Sequence, residues 1–350
     1  MGLASLRVEQ LRCLESASLS LAPHLTLIQG PNGSGKTSLL ESLFMAGRGR
    51  SFRTRMTERL ISRGADYLRV VAETVAPAHR IGFEYRREGS YVARLDGRDV
   101  ETLAELPGAF FVEVIDPDIH RLVEGGPGER RRWLDWGVFH VEPNFLPQWL
   151  RYSRALRQRN AALKSGQDPS VWDAAVAEHG EAVAALRAQW LDSLRPTWEQ
   201  AVRQLSGLEI ELGYSRGWSQ ERSLQEALVE GRDRDRERGS TLSGPHRADI
   251  SLRWQGGMAR DVLSRGQQKL VAAALVLAQL GRLRESQPVR PTLLLDDPAA
   301  ELDAQRLEGL VELVRSLDCQ LVITSLAPDL KLFGNPEQVF HVEHGVVRQI

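Results

Sequence analysis

LTLIQGPNGSGKTSLLESLFMA, residues 25–46, is the stretch on which the reading of this chain turns. Leu19, Leu21, Leu25, Leu27 and Ile28 outline short strands, Ser38 to Ala46 has the pattern of a helix, and a glycine-rich loop joins them. That loop, Gly30-Pro31-Asn32-Gly33-Ser34-Gly35-Lys36-Thr37-Ser38, fits G-x-x-x-x-G-K-[ST] in the strand-loop-helix setting its mechanism needs. Glycines let successive backbone N–H groups converge on phosphate oxygens, and the helix N-terminus adds partial positive charge. Lys36 is then placed to reach β and γ phosphates, and Thr37 to offer a hydroxyl to Mg²⁺.

The run PTLLLDD, residues 291–297, reads as a buried strand with Asp296 and Asp297 at its C-terminal end, where ligands sit in a parallel sheet. Asp296 suits the Mg²⁺, while Asp297 either polarises an attacking water or caps the next helix. Around this strand the chain alternates. A hairpin about Gln255-Gly256-Gly257 precedes a long apolar helix from Gln267 to Leu280, and another helix and the strand QLVIT follow. Such alternation implies a parallel sheet with both faces covered.

The middle of the chain differs. Tyr67 to Leu95 reads as an antiparallel meander ending in a turn at Asp96-Gly97. Pro147 to Ala162 and Val171 to Leu205 read as helices separated by a turn at Gly166 to Pro169. On the second, Trp172, Val176, His179, Val183, Leu186, Trp190 and Leu194 recur at steps of four and three, the stripe of a helix packed lengthwise on a partner. His179 in that stripe reads as a core residue. The arm is expected to end near Pro196, Leu208, Ile210 and Leu212 to alternate as a strand, and Arg232 to Arg238 to form a solvated linker.

Lys and Arg total 45 against 46 Asp and Glu, so any nucleic-acid contact must be a local patch. A composition 42% hydrophobic and 26% charged fits a globular chain and excludes both disorder and a membrane bundle. The longest apolar run, Leu270 to Leu280, is about half a membrane span and contains Gln279, so no membrane partner is expected. The charged N-terminal segment lacks the unbroken apolar stretch of a secretory signal. Cys13 and Cys319 lack disulfide or zinc spacing, which fits a reducing compartment. A cytoplasmic location follows as the expectation.

Leu263-Ser264-Arg265-Gly266-Gln267 opens the long apolar helix and resembles the ABC signature L-S-G-G-Q, with Arg265 at the third position. A serine hydroxyl and a glycine backbone at a helix N-terminus make a second anion site. The resemblance implies that Ser264, Arg265, Gly266 and Gln267 complete the phosphate loop of another copy, sandwiching two ATP molecules in a head-to-tail homodimer. The expected fold is therefore α/β: an ABC-type P-loop ATPase head with an antiparallel β subregion and an inserted α-helical lobe. The expected boundaries are 1–125 for the first part of the head, 126–206 for the lobe, and 207–350 for the rest of the head.

Several segments together resemble the RecF family of SMC-like ATPases: GPNGSGKTSLLESLF, GRGRSFRT at residues 47–54, GGPGERRRWLDWGVFHVEPNF at 125–145, RQRNAALK at 157–164, TLSGPHRADI at 241–250, LSRGQQK and LLLDDPAAELD. The resemblance implies ATP-dependent dimerisation and binding to gapped or junctional DNA, double- and single-stranded. It also implies cooperation with RecR and RecO in loading RecA during recombinational repair and replication, in the cytoplasm at the nucleoid. Arg12 stands where the family has an arginine near the nucleotide, without the flanking Phe and Asn. Asp116-Pro117-Asp118 lies at the Q-loop position without its glutamine, and Glu301-Leu302-Asp303 matches the D-loop. Thr324-Ser325 replaces a switch histidine, and with Asp297 in place of a glutamate this implies slow hydrolysis, stimulated by DNA.

Arg130, Arg131 and Arg132, with Arg151, Arg154 and Arg157, form a basic cluster that is either a phosphate-contacting patch or a solvated helical face. Trp133, Trp136, Trp149 and Tyr152 either stack on bases or belong to the core. Two other functions compete. The nucleotide-binding subunit of an ABC transporter does not account for the helical insertion or for GPHRADI, and a DNA-binding module with purely structural ATP is kept open by Thr324-Ser325 and Asp297.

Overall fold

The computed structural model describes residues 2–100, 102–287, 290–326 and 331–350. From the N-terminus come strands β1 (Gly2–Leu11), β2 (Leu14–Ser20) and β3 (Leu25–Gln29), helix α1 (Lys36–Arg48), and strands β4 (Tyr67–Val75), β5 (Arg80–Arg86), β6 (Tyr91–Leu95) and β7 (Arg98–Asp99). A single turn α2 (Leu106–Ala109) leads to β8 (Val112–Ile115). Next come α3 (Arg121–Glu124), α4 (Pro127–Val141), α5 (Phe145–Lys164), α6 (Asp173–Ser206), β9 (Glu211–Ser215), α7 (Leu224–Glu230) and α8 (Arg232–Arg238). After them stand β10 (Asp249–Trp254), β11 (Gly257–Met258), α9 (Ala259–Val262) and α10 (Arg265–Ser286). The chain closes through β12 (Thr292–Asp296), α11 (Pro298–Glu301), α12 (Ala304–Ser316), β13 (Gln320–Ser325), β14 (Gln338–Glu343) and β15 (Val346–Gln349).

Two compact units emerge, the first from residues up to Ile119 together with those from Gln287 onward, the second from His120 to Ser286. The first holds two sheets. One runs β15-β14-β3-β13-β12-β8, with every pair parallel except β14 and β15. The other is the antiparallel β2-β1-β4-β5-β6-β7. Helix α1 packs on strands of both, which explains why every residue from Ser38 to Gly47, polar ones included, is buried. Leu39, Leu40, Leu43 and Met45 are 0% exposed, and each such side chain stabilises by roughly 1.5–3 kcal/mol.

In β3 each neighbour comes from the end of the chain: Ile28 sits opposite Thr324 of β13 on one side and opposite Phe340 of β14 on the other. The turn after β14 also supports the loop that follows β3, since Gly345 donates its N–H to the Ser34 carbonyl at 2.9 Å.

The second unit is built on α5 and α6, which pack on each other, with α10 packed along α6. Three expectations change here. Helix α6 continues through Pro196 to Ser206, because burial of Leu194, Trp198, Ala201 and Val202 on either side holds it where one backbone bond is missing. Arg232 to Arg238 is helix α8 and not a solvated linker, since Asp235 is buried against Arg159. Strand β9 starts only at Glu211, leaving Leu208 and Ile210 outside it. The unit also begins before residue 126 and runs past residue 206, because β9, β10 and α10 pack with α4 and α6. Among the described residues, no helix is long and apolar enough to cross a membrane.

Candidate functional site

Strand β3 ends at Gln29, and the chain then turns tightly against β14. A Cβ on Gly30 would collide with the Val342 carbonyl, and one on Gly35, at φ 117°, would lie 3.0 Å from Cys13 Sγ. Only glycine fits either place. The first turn of α1 carries no acidic residue and no side-chain cap, so its N–H groups remain available to an anion. Lys36 is 7% exposed, and its Nζ donates to the carbonyls of Gly30 at 2.8 Å and Pro31 at 3.0 Å. Burial lowers the ammonium pKa below its ordinary value, while the charges of Asp297 and Asp296 oppose that shift.

The acidic side comes from β12. Asp296 is 8% exposed and accepts from Thr37 Oγ1 at 3.0 and 3.1 Å and from Thr324 Oγ1 at 2.7 Å. The same Thr324 hydroxyl accepts the Asp297 backbone N–H at 2.9 Å. Thr324 therefore links the two aspartates. Asp297 is held in the left-handed region, φ 51° and ψ 53°, and its side chain makes no cap bond to α11. A non-glycine residue in that region costs on the order of 1–3 kcal/mol, the kind of strain found at functional sites.

These groups border a cavity of about 380 Å³ lined also by Arg12, Cys13, Asn32, Arg53 and Pro117. A larger groove of about 710 Å³ lies in the second unit beside Ala184, Ala185, Ala188 and Trp218, but it has no phosphate-binding loop and no aspartate pair. Volume does not select the site; chemistry does. The oxygens of Thr37 and Asp296 form a donor pair that Mg²⁺ accepts when phosphate and water complete the shell, and no cluster of three or more acidic, His or Cys groups exists among the described residues to hold a metal alone.

Of the residues singled out in the sequence, Arg12, Asn32, Gly33, Gly35, Lys36, Thr37, Ser38, Asp296 and Asp297 line the cavity, and Gly30 and Pro31 accept from Lys36 behind it. Arg53 and Cys13 join the cavity without a sequence signal that marks them, and Thr324, at the switch-histidine position, bonds to Asp296 and the Asp297 backbone. Arg53 lay within GRGRSFRT, whose arginines carry no spacing that marks one of them. Of Asp116-Pro117-Asp118, Pro117 reaches the cavity wall.

At the start of α10, Ser264, Arg265 and Gly266 are exposed. Ser264 and Gln267 form a reciprocal cap, Ser264 N–H to Gln267 Oε1 at 3.0 Å and Gln267 N–H to Ser264 Oγ at 3.3 Å. Asp303 caps α12 through the Arg306 N–H at 3.0 Å, and the side chain of Glu301 lies outside the described residues.

The basic cluster divides. Arg130 is 3% exposed and spends its guanidinium on Asp249, at 2.8 and 3.0 Å, and on the Gly125 carbonyl at 2.7 Å, so it is not available to a ligand. Arg131 donates to the Ala248 carbonyl at 2.6 Å, and Arg132 pairs with Glu129. Arg151, Arg154 and Arg157 are exposed along α5. Trp133, Trp136 and Tyr152 are buried in the core, leaving Trp149 at 38% exposure. His179 is half-buried and bonded to Gln148 at 2.9 Å, a structural role.

Residues 2–347 match the family described as the RecF/RecN/SMC N terminal domain. The chain is 38% identical to the DNA replication and repair protein RecF of Pseudomonas paraeruginosa, covering 100% of this chain and 98% of the relative. It is also 38% identical to RecF of Azotobacter vinelandii, covering 100% and 99%. Among solved structures, the recombination mediator RecF with ATP, from the RecFOR pathway, superposes with a TM-score of 0.89 at 26% identity over 100% of this chain and 97% of that one. An Smc head bound to the C-winged helix domain of ScpA shares the fold, with a TM-score of 0.60 at 16% identity over 100% and 97%. With a phosphate-binding loop, an aspartate-ended strand and full-length similarity in agreement, the chain belongs to the RecF family of DNA replication and repair proteins.

Proposed function

We propose that the chain binds ATP in the Lys36–Asp296 cavity, dimerises on it, hydrolyses it slowly, and acts in the cytoplasm on gapped or junctional DNA during recombinational repair. The observation that carries the reading is the convergence of Lys36, Thr37, Asp296 and Asp297 on one cavity in a RecF-family chain. Phosphate would draw Lys36 from its loop carbonyls. Thr37 and Asp296 would hold Mg²⁺, which when bound screens the charge on the phosphate oxygens. Asp297, with its carboxylate not used as a helix cap, would orient the attacking water.

The exposed cap Ser264–Gln267 supports a second anion contact supplied to another copy, with Asp303 beside that interface. DNA backbone would meet Arg151, Arg154 and Arg157. Cooperation with RecO and RecR in loading RecA follows from family membership and from the RecFOR pathway of the solved relative.

Sizing the protein with and without ATP, Lys36→Met and Asp297→Asn tests the reading. The expected outcome is an ATP-dependent dimer, lost in Lys36→Met and persistent in Asp297→Asn as turnover falls by about 10²-fold or more. A wild-type monomer indifferent to ATP would sink it. Replacing Arg151, Arg154 and Arg157 by Gln should weaken gapped-DNA binding and flatten its salt dependence by up to about three units of log–log slope.

A further inference from the structure

We propose that Glu41 is a positioning residue that sets both cavity arginines, Arg12 and Arg53, through one buried carboxylate. The inference rests on the cavity being an ATP site. Glu41 lies on α1 beyond Lys36 and is 0% exposed. A carboxylate removed from water to that degree has to be paired. It accepts from Arg12 Nε at 2.5 Å, from Arg12 Nη2 at 3.0 Å, and from the Ser51 hydroxyl.

The Ser51 contact carries the effect onward. With its proton given to Glu41, the Ser51 oxygen accepts the N–H groups of Arg53 at 2.9 Å and Thr54 at 3.0 Å. One carboxylate thus fixes the Arg12 side chain directly and the backbone of Arg53 through a single hydroxyl. Both arginines line the cavity that Lys36, Thr37, Asp296 and Asp297 also line.

The hold on Arg12 also sets what it can offer. Its Nε and one Nη2 hydrogen are engaged with Glu41, so the donors left for a ligand are the two on Nη1 and the outer one on Nη2. Its backbone sits at φ 57° and is tied by its N–H to the Leu60 carbonyl at 2.6 Å, while the Gln10 carbonyl accepts from Ser62 at 2.9 Å. The β1–β2 turn and the segment from Ser51 to Ser62 are therefore joined by backbone at one end and by Glu41 at the other. Neutralising Glu41 releases both arginines without removing any group that itself lines the cavity.

The test uses full-length Glu41→Gln, Arg12→Ala, Ser51→Ala and Arg53→Ala, with the double variants Glu41→Gln/Arg12→Ala and Ser51→Ala/Arg53→Ala. ATP affinity is read with a fluorescent analogue, and melting temperature reports folding. The expected result is about tenfold weaker binding for Glu41→Gln and about threefold for Ser51→Ala; with Arg12 already absent the Glu41→Gln effect falls to about threefold, the part that runs through Ser51 and Arg53, and with Arg53 absent the Ser51→Ala effect falls below about twofold, the signature of action through each arginine. Wild-type affinity in Glu41→Gln, or effects that add in full, would overturn the proposal. Should Glu41→Gln not fold, the Ser51/Arg53 pair decides by the same criterion. Wild-type protein that binds no ATP removes the cavity reading and this inference with it; wild-type binding with unaltered variants removes the inference alone.

Discussion

Arg12 in the first unit and Arg159 in the second are each gripped by buried carboxylates, Arg12 by Glu41 and Arg159 by Asp173 and Asp235. Their surroundings differ. The Arg12 side chain keeps 27% of its surface and borders a cavity, whereas Arg159 keeps 0% and adds the Thr241 hydroxyl at 2.8 Å. Around Arg159 both carboxylates take further donors: Asp173 also takes Arg232 at 2.9 Å, and Asp235 also takes the Leu242 N–H at 2.9 Å. The same ion-pair chemistry thus holds a guanidinium at the edge of a cavity in one place and ties distant segments together in the other. What separates the two is an open side.

That contrast breaks most visibly through stability. Arg159→Met should cost on the order of 3–5 kcal/mol in denaturant unfolding, because Asp173 and Asp235 would be left buried without their partner. ATP affinity of the molecules that remain folded should change little. Loss of affinity at unchanged stability would reverse the roles assigned to the two arginines. Lys36→Met should do the opposite, weakening ATP binding by about a hundredfold or more while moving stability by less than about 1 kcal/mol, as titration and unfolding of the same samples would reveal.

A subtler effect separates the units by pH. His246 is half-buried beside Thr241, a partner of Arg159: Tyr152 donates to its Nδ1 at 2.6 Å, and its Nε2 donates to the Thr241 carbonyl at 2.9 Å. Burial lowers its pKa below 6.5, so the unfolded chain binds the proton first as pH falls. Its contribution is therefore intact above about 6.5 and is lost as pH drops toward the lowered folded value. Unfolding of His246→Gln measured between neutral and acid pH should lack that component; an unchanged pH profile would remove His246 as its source.

The smallest expected change is in thiol chemistry. Cys13 is exposed on the cavity wall, whereas burial pushes the Cys319 thiol up to about 12, so alkylation at neutral pH reports Cys13 alone. Saturating ATP should slow it several-fold, and an unchanged rate would move the nucleotide away from the β1–β2 turn.

The phosphate-binding half was legible because its chemistry is local: nine consecutive residues and one strand end state the geometry. Arg130 was not, since its acidic partner Asp249 lies 119 residues away and an isolated arginine triplet reads as surface. The same distance hid α8. RDRDRER alternates in sign like a solvated segment, and only Arg159, 76 residues earlier, makes Asp235 a buried anchor. Arg53 is hidden for a related reason, because it reaches the cavity through a backbone held by the Ser51 hydroxyl. Pro196 is a local signal for the end of the arm, and the packing that carries α6 past it is tertiary.

Strand β3 carries the phosphate-binding loop, yet its two neighbours in the sheet are β13 and β14, and the loop itself is braced by Gly345. During synthesis the loop sequence therefore leaves the ribosome well before β13 and β14, and a chain stopped short of β14 would carry that sequence without the two strands that flank it.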